Sequence, residues 1–91
     1  MRFVWDQDAW SDYVYWQTQD RRTLRRINEL LRDIARGSDL GAPHEGIGKP
    51  EALRHQNLTG WWSRRITDEH RLVYRVHGSD VEIASCRYHY G

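Results

Sequence analysis

Apolar positions recur along this chain in two rhythms, one of period 3.6 and one of period 2, and each predicts its own elements. Residues 2–5 form a short β-prone run that predicts a first strand. From about residue 7 to 18, Ala9, Tyr13 and Trp16 recur at i, i+4 and i+7 with Trp10 beside them, which is one face of a helix packed into a core. Asp6 stands where its carboxylate would cap that helix. A second stripe of Leu24, Ile27, Leu31 and Ile34, widened by Leu30, predicts a helix over about 21–36. Asp20 is its expected cap and Gly37 its expected stop. The arginines Arg22, Arg25, Arg26, Arg32 and Arg36 lie mostly off the stripe. Two amphipathic helices joined by a tight link make a hairpin with one apolar side.

Residues 37–50 carry no periodicity and are rich in Gly, Ser, Asp and Pro, so they read as a loop and as the most mobile part of the chain. A short segment around 52–55 follows, then three strand-like runs at 61–67, 70–77 and 80–88. Gly78-Ser79 between His77 and Asp80 fits a two-residue hairpin of type II′. That register pairs Val76 with Val81, Tyr74 with Ile83 and Leu72 with Ser85 on one apolar face. An odd turn at Thr67-Asp68-Glu69 then pairs Trp62 with Tyr74 on the core face and Arg65 with Arg71 on the opposite one. Two like charges side by side cost stability unless something anionic lies between them. The expected architecture is therefore α+β, with an N-terminal strand and a two-helix hairpin packed on one face of a twisted, mainly antiparallel sheet.

Ninety-one residues are expected to form a single domain, 1–91, with a thin core to which five Trp and five Tyr supply much of the apolar area. Net charge is +1, unevenly placed: residues 1–20 set one Arg against four Asp, and residues 21–36 set six Arg against one Glu and one Asp. Thirteen of the fourteen basic residues are Arg, the side chain suited to bidentate phosphate contacts, which tilts the reading towards nucleic acid or an acidic partner. A solvated basic helix face accounts for residues 21–36 equally well. The lone Cys86 precludes an internal disulfide and reads as a small core residue. No apolar stretch approaches a membrane span and no signal-peptide pattern opens the chain, so the expected location is the cytoplasm, with no membrane partner.

Candidate chemistry gathers in the last half of the chain. RNA can be cleaved without a metal when a base takes the 2′-OH proton, cations hold the charge on the phosphorane and an acid protonates the departing 5′ oxygen. Glu51 can be that base, Arg65 and Arg71 the clamp on the phosphate, and His89 the acid. Each also has an ordinary reading, as a surface carboxylate, solvated strand arginines and a tail histidine. Gly46-Ile47-Gly48-Lys49 is not a P-loop, since the glycine spacing is wrong and Pro50 follows the lysine. No metal-ligand spacing and no cofactor fingerprint is present; Cys86 and His89 alone are a weak pair.

From Trp5 to Tyr90 the chain resembles the YoeB branch of the RelE-type toxins. The segments that carry the likeness include Gly48-Lys49-Pro50-Glu51, Trp62-Ser63-Arg64-Arg65-Ile66-Thr67, Glu69-His70-Arg71-Leu72-Val73-Tyr74 and Cys86-Arg87-Tyr88-His89-Tyr90. The resemblance implies a ribosome-dependent endoribonuclease that cuts messenger RNA in the A site and leaves a 2′,3′-cyclic phosphate. It implies Glu51 as general base, Arg71 on the phosphate with Arg65 in support, and His89 as general acid with Tyr90 beside it. Lys49 would lie near the RNA, as would Arg54, which stands where the family usually has a lysine. The implied partners are the 70S ribosome with its message and a YefM-like antitoxin; monomer and homodimer both stay open. A toxin of this fold that binds a target such as gyrase without cleaving RNA, or an idle module of a repressor complex, is the alternative. The chain departs from the family pattern at Ala52, at an inserted Gln56 and at Gly91. Strand parity places Tyr88, not His89, on the Arg71 face, so His89 reaches it only if the last strand ends or bulges after Arg87.

Overall fold

Strand β1 (Arg2–Trp5) leads into helix α1 (Gln7–Gln19), which turns at Asp20 into helix α2 (Arg21–Asp39). Four strands follow: β2 (Glu51–Ala52), β3 (Trp62–Arg65), β4 (Arg71–His77) and β5 (Asp80–Ser85). This computed structural model describes residues 1–54 and 59–88. The strands form one sheet in the order β1-β5-β4-β3-β2, antiparallel except where β1 runs parallel to β5. The helices pack on one face of that sheet, and Ile27, Leu30 and Ile34 of α2 meet Leu72, Tyr74 and Ile83 there, all completely buried. The expected α+β architecture is the one observed.

Asp20 caps α2 as its position suggests. Its extended backbone (φ −157°) reverses the chain, and its carboxylate accepts from the Arg22 N–H at 3.0 Å and the Thr23 N–H at 3.3 Å. Asp6 occupies the corresponding place before α1 but its side chain makes no capping bond. Trp10 also departs from expectation: it is 49% exposed and stacks on Tyr13 at the surface, where helix rotation places it one step off the Ala9–Trp16 face. Helix α2 does not stop at Gly37 but runs to Asp39, with Gly41 (φ +76°) taking the left-handed step after it. Gly37 is required for another reason: the returning chain lies on it, Ala42 N–H donating to Gly37 O at 2.7 Å, and a Cβ at Gly37 would meet Ala42 O at 2.6 Å.

Gly78 takes φ +61° while Ser79 does not, as a type II′ turn requires, and Val76↔Val81, Tyr74↔Ile83, Trp62↔Tyr74 and Arg65↔Arg71 all pair in the expected register. The pairing of Leu72 with Ser85 does not occur; Ser85 pairs with Val73, with Ala84 as the extra residue of a bulge. A regular ladder would have put the Ser85 hydroxyl on the core face. The bulge turns it to the other face and lets Cys86 enter the core beside Leu72. Strands β3 and β5 are also shorter than the runs at 61–67 and 80–88.

Beneath the sheet lies a buried charge. Arg64 on β3 has no solvent exposure, and all five of its N–H groups are used. Nη1 donates to Asp33 Oδ2 at 2.5 Å and to Ile47 O at 3.1 Å; Nη2 donates to Pro43 O and Glu45 O, both at 3.0 Å; Nε donates to the Tyr74 hydroxyl at 3.2 Å. The Asp33 carboxylate also takes the Ile47 N–H at 3.1 Å and Arg36 at 2.7 Å. The loop that reads as most mobile in the sequence is thus tied to the core through Pro43, Glu45 and Ile47. Gly46 (φ +122°) has no room for a side chain, because a Cβ would overlap the Asp33 carboxylate. Above Arg64, His44 lies flat on Trp62 with ring centroids 3.9 Å apart.

Removing one partner of a buried pair strands the other charge, at a cost of about 3–5 kcal/mol. Asp33→Ala is expected to lose that much in urea unfolding, far more than Asp39→Ala on the exposed end of the same helix. Burial opposes ionisation of Asp33, but the hydrogen bonds from Arg64, Ile47 and Arg36 outweigh it and hold the carboxyl below its ordinary value. Burial, with Arg64 nearby, likewise depresses the His44 ring. A depressed folded-state value means stability present at neutral pH and lost as pH falls through that value. Unfolding free energy should therefore drop on acidification, and less steeply in Asp33→Asn.

Candidate active site

Strand alternation separates two neighbouring arginines. Arg64 points with Trp62 into the core, so Arg65 and Ser63 point to the opposite face, which the helices do not cover. Register then assembles the rest: Glu51 lies opposite Ser63 across β2–β3, and Arg71 lies opposite Arg65 across β3–β4. Ser63 and Val73, each 1% exposed, form a floor of small buried side chains between them.

Arg71 lies across this floor. Its Nε donates to Ser63 Oγ at 2.9 Å, and its Nη2 stands 3.6 Å from Glu51 Oε2. The Arg71 side chain is 22% exposed and that of Glu51 is 65% exposed, so a buried-edged cation faces an open carboxylate. Among the described residues Nη2 has no hydrogen-bond partner, and it is itself shielded from solvent, so an anion reaches it only by displacing what covers it. Arg65 is held at the rim by an ion pair with Asp68. The cost of setting two arginines side by side is thus met by a separate carboxylate for each.

The loop before β2 is fixed where it enters the site. Arg65 N–H donates to Gly48 O at 2.7 Å, and Gly48 (φ +84°) packs so closely that a Cβ would stand 2.7 Å from Leu30 Cδ2. Lys49 follows with φ +50°, and the only other described non-glycine residue with positive φ is Tyr88, at +61°. Such backbone costs of order 1–3 kcal/mol and persists where surrounding structure enforces it. The two positions border the expected base and acid in sequence, Lys49 two residues before Glu51 and Tyr88 one before His89.

Of the expected site residues, the structure brings together Glu51, Arg65 and Arg71. Lys49 and Arg54 are exposed on either side of β2 and neither pairs with Glu51 or Arg71. His89 and Tyr90 lie outside the described residues, as do Gln56 and Gly91. The chain leading to His89 is described to Tyr88 and is anchored: Cys86 N–H donates to Asp12 Oδ2 at 3.0 Å, Trp16 Nε1 donates to Cys86 O at 2.9 Å, and Arg71 N–H donates to Tyr88 O at 2.8 Å. The last strand ends at Ser85, ahead of Arg87 instead of after it, so regular strand parity does not extend to residues 86–88. Arg64, Ser63 and Asp68 were not among the expected participants. Arg64 was recoverable, since it shares the parity of Trp62 and Ile66 in a strand whose core face was known. Among the described residues, no three of His, Cys, Asp and Glu converge on a metal-sized site.

Burial, reinforced by Asp12, pushes the Cys86 thiol up to about 12. Cys86 should therefore resist iodoacetamide in the native protein at neutral pH and react once the protein is unfolded in urea, read by intact mass.

Comparison with known proteins agrees with this fold. The family described as "YoeB-like toxin of bacterial type II toxin-antitoxin system" matches residues 5–90. Toxin YoeB of Escherichia coli K12 is 53% identical over 90 residues, covering 99% of this chain and all of the relative. Among solved structures, the YoeB–YefM toxin–antitoxin heterotetramer from Staphylococcus aureus superposes with a TM-score of 0.83 at 50% identity, covering 97% of this chain and 95% of the other. The YoeB dimer from the same organism superposes with a TM-score of 0.83 at 47% identity, covering 99% and 98%.

Proposed function

Because the chain belongs to the family of YoeB-like toxins of bacterial type II toxin–antitoxin systems, we propose that it is a ribosome-dependent endoribonuclease acting in the cytoplasm on messenger RNA in the A site. The observation that carries this reading is the Arg71–Glu51 arrangement, a partly buried guanidinium whose Nη2 stands 3.6 Å from an exposed carboxylate. A scissile phosphate entering this face takes the Arg71 donor and draws Arg65 from Asp68. Glu51, released from Arg71, then accepts the 2′-OH proton as that oxygen attacks phosphorus. The two guanidiniums hold the charge that builds on the phosphorane. His89 donates a proton to the departing 5′ oxygen, so that the O5′–P bond breaks and a 2′,3′-cyclic phosphate and a 5′-OH remain. Lys49, Arg54 and Tyr90 contact the flanking RNA in this scheme, which assigns no role to a metal or cofactor.

The likeness to a YoeB that forms a complex with YefM supports a YefM-like antitoxin as partner, and the likeness to a dimeric YoeB supports a homodimer. An acidic antitoxin segment that folds over Arg65 and Arg71 would compete with RNA for the same two cations. The ribosome supplies the opposite charge to the arginines of α2, and binding should weaken steeply as salt rises.

The test uses ribosomes programmed with a short message, with the ends of the products mapped. Cuts in the A site with cyclic-phosphate ends are expected. Glu51→Ala and His89→Ala should each slow single-turnover cleavage by about 10²–10⁴-fold, with ribosome affinity little changed. Intact ribosome binding without any cleavage by the unaltered protein would contradict the proposal and favour a binding toxin.

A further inference from the structure

The backbone of Tyr88 is clamped at both ends by two consecutive residues of the 67–71 turn. Its carbonyl accepts the Arg71 N–H at 2.8 Å, and its own N–H donates to His70 Nδ1 at 2.7 Å. The His70 ring is itself fixed. Thr67 Oγ1 accepts the His70 N–H at 3.2 Å and sets the turn, and Trp16 meets the ring edge-on with centroids 4.8 Å apart. Tyr88 packs its ring 5.4 Å from that of His70. An imidazole nitrogen that accepts carries no proton, so this geometry places the ring hydrogen on Nε2.

The clamp holds Tyr88 in a backbone conformation that a tyrosine does not favour, φ +61°. The bonds at Cys86 fix the chain two residues earlier, and Arg87 rests its guanidinium 3.7 Å from the centroid of the Tyr15 ring. Neither reaches the Tyr88 N–H, which among the described residues is received by His70. The dihedrals of Tyr88 set the direction in which the chain leaves towards its neighbour, and that neighbour is His89.

We propose that His70 is a positioning residue for the general acid: by accepting the Tyr88 N–H it enforces the left-handed step at Tyr88, the residue immediately before the proposed acid His89. The inference rests on the reading of His89 as the acid. Because the same turn supplies Arg71, one short segment would register the phosphate clamp and the acid against each other. Loss of register of about 1 Å can cost on the order of 10²-fold in rate.

The test replaces the acceptor in three ways. Asparagine places its Oδ1 close to the position of Nδ1, glutamine reaches only as far as Nε2, and leucine has no acceptor. Single-turnover cleavage on programmed ribosomes should fall about 10–100-fold in His70→Leu and His70→Gln, while ribosome affinity holds. His70→Asn should recover most of the rate. Amide exchange at Tyr88 in the isolated protein should stay slow in His70→Asn and become fast in His70→Gln; this comparison stands even if the leucine variant does not fold. In a His89→Ala background the His70→Gln change should cost nothing further, because there is no acid left to position. An equal loss in both backgrounds would make His70 a stability residue and overturn the proposal, as would asparagine and glutamine variants that cleave alike. If His89→Ala itself cleaves at the full rate, the reading of the acid fails, whatever His70 does.

Discussion

Arg64 puts a guanidinium at the centre of the core, 2.5 Å from the Asp33 carboxylate and with every N–H engaged. Desolvating such a charge costs several kcal/mol even after relaxation, so a buried pair is weak evidence of net stability. Its effect here is on shape. Three of its partners are the backbone carbonyls of Pro43, Glu45 and Ile47, spread over five residues without regular structure. A segment of that kind has no ladder of its own to satisfy its carbonyls, and the planar fork of Arg64 supplies one. Asp33 closes the arrangement from α2 by receiving both the guanidinium and the Ile47 N–H. The loop is thereby given one course over the core. Its exit is fixed where Arg65 N–H meets Gly48 O at 2.7 Å, three residues before Glu51.

Consecutive residues of β3 consequently serve opposite faces of one sheet. Arg64 organises the core face and Arg65 stands at the rim of the polar one, with Ser63 on the same side supporting Arg71 from below. The arginines on the outer face are only lightly neutralised: Arg71 faces Glu51 at 3.6 Å without a hydrogen bond at Nη2, and Arg65 is paired to an exposed Asp68. The Arg65–Asp68 pair is exposed, and a pair of that sort contributes little to stability and is readily exchanged for another anion. Alternation along β3 locks Arg64 in the core and leaves Arg65 at the open rim, where Arg71 joins it from β4.

Much of this was legible in the sequence because two signals agreed. The II′ turn at Gly78 and the apolar alternation of residues 72–83 both required the same β4–β5 register, and the odd turn at residues 67–69 followed from pairing Trp62 with Tyr74. What escaped was whatever depended on distant partners. Gly37 has the look of a helix stop, yet its helix continues because Ala42 returns to lie on it. The Ala84 bulge answers a conflict between Ser85 and Cys86 over which one enters the core, and that is settled by packing against Leu72 and Ala9, not by local pattern. Residues 43–48 look like a free loop because the arginine that binds them lies 17 to 21 positions further along the chain. Parity alone gives the pairing of Arg65 with Arg71, and the same rule turns Arg64 inward beside Trp62.

If the chain cleaves RNA as proposed, the buried Arg64–Asp33 pair should set the rate by fixing the loop that ends in Glu51. Arg64→Lys tests it most directly, since lysine keeps the charge but has three donors on a flexible stem in place of a rigid fork. The measurement is the single-turnover cleavage rate on programmed ribosomes, at a temperature where the variant is fully folded, beside its affinity for the same ribosomes. The account predicts a rate at least about tenfold lower with affinity unchanged, as expected when a reacting group is displaced without loss of binding. A variant that is less stable yet cleaves at the full rate would show that the loop keeps its course without Arg64, and would contradict the claim.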